Sequence, residues 1–162
     1  MLSAAKAFVV FAAAAILVAN LFFPTIQVQR GSMASTLYDG ERIILTTIGE
    51  AGRGDIIAFN QASQAMVKRV IAVAGQWVNI DEHGTVYVDG VMINEPYLTA
   101  RSIGICDIEL PFQVPDNHLF VMGDNRSVSI DSRLREFGTV HRDEVIGRAI
   151  FRIWPLYRIG LV

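Results

Sequence analysis

Cysteine is nearly absent: Cys106 stands alone among 162 residues. That excludes an internal disulfide and a cysteine-built zinc cluster. Proline is sparse, at 5, and the 13 glycines follow no period, which rules out collagen-like and repeat architectures. Charged residues make up 19% against 52% apolar, the reverse of a disordered chain. Basic charge is not in excess, the net charge being −2, so no nucleic-acid partner is expected. Lysine is the scarcest charged type, with Lys6 and Lys68 set against twelve arginines. The three histidines, His83, His118 and His141, have no convincing acid–base partner nearby in sequence, and a Ser–His–Asp triad built on them is a weak alternative.

Charge is also missing from one region. Residues 1–29 hold Lys6 alone, whereas residues 30–162 carry 13 basic and 16 acidic side chains, a formal −3. From Ala7 to Phe23 the chain is apolar except for Asn20. Seventeen helical residues would reach roughly 26 Å. A bilayer core is about 30 Å thick, so the span would need help from Pro24-Thr25-Ile26 or local thinning. A cleavable signal peptide is the main rival, but Leu17-Val18-Ala19 has the wrong first residue for a small-x-small site. A buried helix is the other. Lys6 and the amino terminus favour an inside N-terminus. The reading is a cytoplasmic segment 1–6, a transmembrane anchor 7–26 and an extracytoplasmic domain 27–162.

The domain reads as β. Arg42–Thr47, Asp55–Phe59, Met66–Ala74, Trp77–Ile80, Thr85–Val88, Val91–Ile93, His118–Met122 and Ile146–Ile153 are short apolar or β-branched runs. Asp89-Gly90 between two of them is a hairpin signal. After residue 30 no segment holds a helical period for twelve residues. Short strands with turns between them imply a folded sheet or barrel. Ala100–Asn117, with Pro111 and Pro115, reads as the long loop.

Lys68 lies within a strand run, on the face of Met66 and Val70, which should be apolar. Lysine, unlike arginine, can act as a base once it loses its proton. Its ordinary pKa near 10.4 leaves about one in a thousand neutral near pH 7.4. Burial can lower that pKa by roughly 3–5 units. A snorkelling lysine on an edge strand is the plainer alternative. A neutral lysine needs a nucleophile, and Gly31-Ser32-Met33 lies just past the apolar segment. Serine is unreactive until a base takes its proton, and a Ser–Lys pair is a known variant of triad chemistry. As a motif Gly-Ser-Met is weak, and a solvated linker serine is the ordinary alternative. The third cluster, Gly123 to Arg133, is a polar loop in which Asp124, Arg126, Asp131 and Arg133 could pair among themselves. A hydroxyl from Ser127, Ser129 or Ser132 could hold the lysine amine.

In this order, behind an apolar segment, these clusters resemble bacterial type I signal peptidases of the small Gram-positive type. Ser32-Met33 with Thr36-Leu37 resembles the nucleophile box, and Asp39–Leu45 the strand box after it. Arg53-Gly54-Asp55-Ile56-Ile57 and Lys68-Arg69-Val70-Ile71 resemble the general-base box. Gly123-Asp124-Asn125-Arg126 with Ser129, Asp131-Ser132-Arg133 and Gly138 resembles the last and most specific box. Arg152–Leu156 with Arg158-Ile159-Gly160 resembles the family tail. The resemblance implies a mainly β catalytic domain behind one transmembrane helix. It also implies Ser32 as nucleophile and Lys68 as general base. Ser129 would hydrogen-bond the lysine and Asp131 and Arg133 would brace it. The backbone N–H of Ser32, with Met33, would serve the oxyanion, and Gly123, Asp124, Asn125 and Arg126 would form a structural loop. The chain departs from the family pattern at Arg30, a frequent hydroxyl position, and at Ser35, a usual proline. It departs again at Glu41 and at Ala72–Gln76, including Ala74.

The implied activity is endoproteolytic removal of signal peptides from exported preproteins after a small-x-small (Ala-x-Ala) site, without metal or cofactor. The implied partners are signal peptides, the lipid bilayer and, functionally, the secretion translocon. The implied place is the bacterial cytoplasmic membrane, crossed once, with the catalytic domain outside. Phe151 and Trp154 could meet lipid or serve as core residues. Two rival readings are an inactive signal-peptidase-like factor for surface-fibre assembly, and a dedicated conjugation-type maturation peptidase. The first should lack the serine or the lysine, and the last box argues against the second. Self-cleaving Ser–Lys repressors carry a DNA-binding region where this chain has an apolar helix.

Overall fold

The computed structural model describes residues 2–162; Met1, at the head of the segment expected to be cytoplasmic, lies outside them. Helix α1 spans Leu2–Phe22. At about 1.5 Å per residue its 21 residues reach about 31 Å, the thickness of a bilayer core. The stretch Ala4–Phe22 is long and apolar enough to cross a membrane, and none of it is buried against protein. The helix starts earlier than the apolar run because Leu2, Ala4 and Ala5 are strong helix formers. It also stops earlier than the expected anchor. Pro24 has no N–H and pushes Phe23 out of the helical region, and Thr25–Gln27 becomes strand β1 instead. Pro24-Thr25-Ile26 therefore does not lengthen the helix.

The remaining strands are β2 (Arg42–Thr46), β3 (Ile56–Gln61), β4 (Gln64–Val73), β5 (Trp77–Ile80), β6 (Val86–Val88) and β7 (Val91–Met92). They continue as β8 (Phe112–Gln113), β9 (His118–Met122), β10 (Val140–His141), β11 (Val145–Trp154) and β12 (Gly160–Leu161). The larger sheet runs β1-β2-β11-β3-β4-β9-β10, with β12 also on β11, and the smaller runs β7-β6-β5-β8. Three short 3-10 turns are the only helical elements after residue 30 among the described residues. Every expected strand run forms, with ends shifted by at most two residues. Strands β1, β8, β10 and β12 escape sequence reading because two or three residues cannot display a period. Strand β8 falls inside the expected long loop and pairs with β5 through Val78 and Phe112.

The Asp89-Gly90 hairpin forms as expected, with φ of 52° and 78° at the two residues. Both angles are positive, as a type I′ turn requires. One core cluster lies between the two sheets around Ile71, Val78, Val88, Phe120 and Met122. A second packs Met33, Leu37, Ile43, Leu45 and Val67 beneath the chain that follows β1. A third holds Ile57, Phe59, Val70, Leu119 and Val121. Strand β4 contributes to all three, so both of its faces are covered. Strand β9 pairs with β4 from Arg69 to Val73. The stretch Gln64–Lys68 pairs with β3 alone, which leaves its other edge open among the described residues.

Candidate active site

Ser32 sits in the 3-10 turn Gly31–Met33, reached from β1 through Arg30. The turn is clamped by the loop after β9. Asn125 N–H donates to Ser32 O at 3.0 Å and Asn125 Nδ2 to Gly31 O at 3.3 Å. Below it Met33 is 1% exposed in the second core cluster, so its side chain anchors the turn from beneath. The first N–H groups of a helical turn have no partner within it, which leaves the Ser32 backbone amide available.

Lys68 is opposite Ile57 in the β3–β4 register, on the face expected to be apolar. It is only 4% exposed. Its Nζ donates to Ser129 Oγ at 3.0 Å. Burial pushes its pKa down from 10.5 to about 8; Asp131 opposes the shift, while Arg133 and Arg30 add to it. A snorkelling lysine would keep its amine in water, and this one does not. Ser32 and Lys68 line one cleft of about 220 Å³, together with Arg30, Gln64, Val128 and Ile130. None of the three histidines lines it.

The three candidate hydroxyls separate cleanly. Ser129 meets the lysine, Ser132 Oγ accepts from Val121 N–H at 3.0 Å, and Ser127 Oγ donates to Asn125 Oδ1 at 3.1 Å. Asp131 and Arg133 are 0% exposed and paired, with Nε to Oδ1 at 2.8 Å and Nη2 to Oδ2 at 2.9 Å. Asp131 also accepts from Gly123 N–H at 3.0 Å, and Arg133 Nη2 donates to Ser129 O at 3.3 Å. The pair thus holds both ends of the segment that presents the Ser129 hydroxyl. Gly123 is compulsory for a packing reason, because a Cβ there would collide with Ser129 Oγ and Ser32 O.

The other two charges of the loop do not pair within it, which corrects the expectation that all four would. Asp124 accepts from Arg69 Nε at 2.9 Å and Nη2 at 2.7 Å, and from Thr36 Oγ1 at 2.5 Å. Arg126 pairs with Glu95, both side chains 1% exposed. Asp124 therefore ties the loop to β4 and to the Ser32 segment, and Arg126 ties it to the segment before the long loop. Arg69 also lies 3.9 Å over the Tyr97 ring. Glu95 and Tyr97 gave no sequence signal, since an isolated acid and an isolated tyrosine look like surface residues until the fold brings partners to them. The departures are absorbed locally. Ser35 Oγ donates to Tyr97 O at 2.7 Å, and Glu41, 3% exposed, accepts from Arg152 at 3.1 Å and Arg158 at 2.6 Å. Gln76 Oε1 accepts from Val73 N–H at 3.1 Å.

Comparison with known proteins gives the family of the chain. The model of the family described as signal peptidase, peptidase S26, matches residues 1–154. Signal peptidase I S of Bacillus subtilis (strain 168) is 35% identical over 163 residues, covering 93% of this chain and 88% of that protein. A signal peptidase I of Bacillus amyloliquefaciens is 33% identical over 166 residues, covering 96% of this chain and 89% of its own length. The crystal structure of a signal peptidase I from Enterococcus faecalis V583 superposes with a TM-score of 0.51 at 30% identity, covering 63% of this chain and 98% of that one. The chain belongs to the signal peptidase family, peptidase S26, and is a peptidase for the removal of signal peptides.

Proposed function

We propose that the chain is a membrane-anchored serine endopeptidase that cuts exported preproteins after a small-x-small site, with Ser32 as nucleophile and Lys68 as general base. One observation supports this above the others. Lys68 is buried in the cleft that Ser32 lines, with its amine held by Ser129.

Neutral Lys68 takes the proton from Ser32 Oγ, and the oxygen attacks the scissile carbonyl. The Ser32 backbone N–H, at the start of its turn, donates to the developing oxyanion. The tetrahedral intermediate collapses, the leaving amine takes the lysine's proton, and an acyl-enzyme remains. Lys68 then deprotonates a water that attacks the ester; the ester C–O bond breaks, Ser32 Oγ takes the proton back from the lysine, and the signal peptide leaves as its carboxylate. Asp131 and Arg133 are positioning residues acting through Ser129. Substrate binds extended along the open Gln64–Lys68 edge of β4, where main-chain hydrogen bonds give affinity. Small residues beside the scissile bond suit the narrow cleft.

Helix α1 crosses the bacterial cytoplasmic membrane once, with the amino terminus inside and the β domain outside. It holds Ser32 near the surface at which signal peptides end and the translocon delivers them. The test is cleavage of an Ala-x-Ala preprotein by the purified chain in detergent, alongside Ser32→Ala and Lys68→Ala. A cut after the second alanine, lost in both variants, is expected. Cleavage that survives either variant sinks the proposal.

A further inference from the structure

Arg30, two residues before Ser32, has φ 68° and ψ 162°. That backbone region is essentially reserved for glycine. Neighbouring bonds impose it. Arg30 N–H donates to Asp39 Oδ1 at 2.7 Å, and Gly31 O accepts from Ala34 N–H at 3.2 Å and from Asn125 Nδ2 at 3.3 Å. None of these bonds uses the side chain of residue 30. A glycine would keep all of them and relieve the strain, so none of these bonds calls for an arginine at this position.

The guanidinium is not spent on an acidic partner. Arg30 takes part in none of the ion pairs of the described residues. It lines the cleft shared by Ser32 and Lys68, and no acidic residue lines that cleft. Asp124 and Asp131 lie close by but are buried and committed to Arg69 and Arg133. Asp39 holds the Arg30 backbone and lines a separate cavity with Tyr38, Glu41 and Trp154. When Lys68 is neutral, as its role as base requires, the cleft therefore carries one uncompensated positive charge. A peptide laid along the open edge of β4 brings its side chains past that charge.

We propose that Arg30 is a substrate-specificity residue whose guanidinium takes an aspartate or glutamate side chain of the polypeptide beside the scissile bond and turns away lysine or arginine there. This rests on the Ser32–Lys68 reading above. That Arg30 also lowers the Lys68 pKa shows that its field reaches the reacting groups.

The test uses the full chain in detergent and preproteins sharing one Ala-x-Ala site. Glu, Gln or Lys is placed in turn at the middle position, at the residue before the site and at the first residue after the cut. Exposed charge pairs are worth a factor of about two to five. The wild type should therefore cut the Glu form about three- to fivefold faster than the Gln form, in kcat/KM, at one of these positions. The Lys form should be slower than Gln by a similar factor, and both differences should shrink in 0.5 M salt. Arg30→Gln should level the series and Arg30→Glu should invert it, an inversion that a merely structural role would not produce. Good cutting with flat ratios at all three positions in the wild type overturns the inference alone, and so does a preference that persists in Arg30→Glu. Failure of the wild type to cut the Gln form overturns the Ser–Lys reading and this inference with it.

Discussion

The depressed pKa of Lys68 should be readable in two independent ways. With its pKa lowered to about 8, about one-tenth of the enzyme holds a neutral lysine at pH 7 and about nine-tenths at pH 9. Cleavage, as kcat/KM, should rise about tenfold across that interval and level off. A lysine near its ordinary 10.5 would leave the curve still climbing past pH 10. The same drop sets a stability cost. Between the folded and unfolded values the unfolded chain binds a proton that the folded chain does not, so stability rises with pH across that window. The span from about 8 to 10.5 corresponds to about 3 kcal/mol. The cost is fully present below pH 8, declines as pH rises, and is gone above 10.5. Lys68→Met removes the titration while keeping an apolar side chain of similar length. Its stability relative to wild type, from urea unfolding in detergent, should fall by up to about 3 kcal/mol between pH 7 and pH 10.5. Any packing change or lost bond to Ser129 offsets both ends equally and cancels. A relative stability that is flat with pH, together with an acid limb near pH 10, would refute the argument that burial neutralises this amine.

Further outcomes follow from the same geometry. Lys68→Arg should be as inactive as Lys68→Ala in the preprotein assay while retaining the wild-type circular dichroism spectrum, because a guanidinium cannot give up its proton. Gly123→Ala, which must displace Ser129 Oγ or Ser32 O, should lower kcat at least tenfold and cost about 1–3 kcal/mol on unfolding. Asp131→Ala leaves Arg133 charged at 0% exposure, and a loss of about 3–5 kcal/mol in denaturant unfolding is expected. Ser129→Ala should reduce kcat more than it changes KM if the hydroxyl positions the lysine, and restoring the hydroxyl as threonine should recover part of the loss.

Much of this protein could be read along the chain. The helix follows from an apolar run before Pro24 broken by Asn20 alone, and the strands from β-branched runs between turn residues, because both signals are local. Lys68 stood out because a lone lysine on an apolar strand face contradicts its surroundings. Ser32, Ser129 and the Asp131–Arg133 pair stood among several candidates and gained definite roles only through family resemblance, since a serine in a polar loop carries little local sign of chemistry.

Tertiary structure decided the rest. It put Ser32 and Lys68 in one cleft across 36 residues of chain and assigned three neighbouring serines to three different partners. It sent Asp124 to Arg69 and Arg126 to Glu95 rather than to charges within their own loop. The physical reason is one of range. Helix and strand preferences depend on neighbours a few residues away. The partner of a buried charge is whichever opposite charge the packed sheets bring to it, and desolvation makes that choice compulsory.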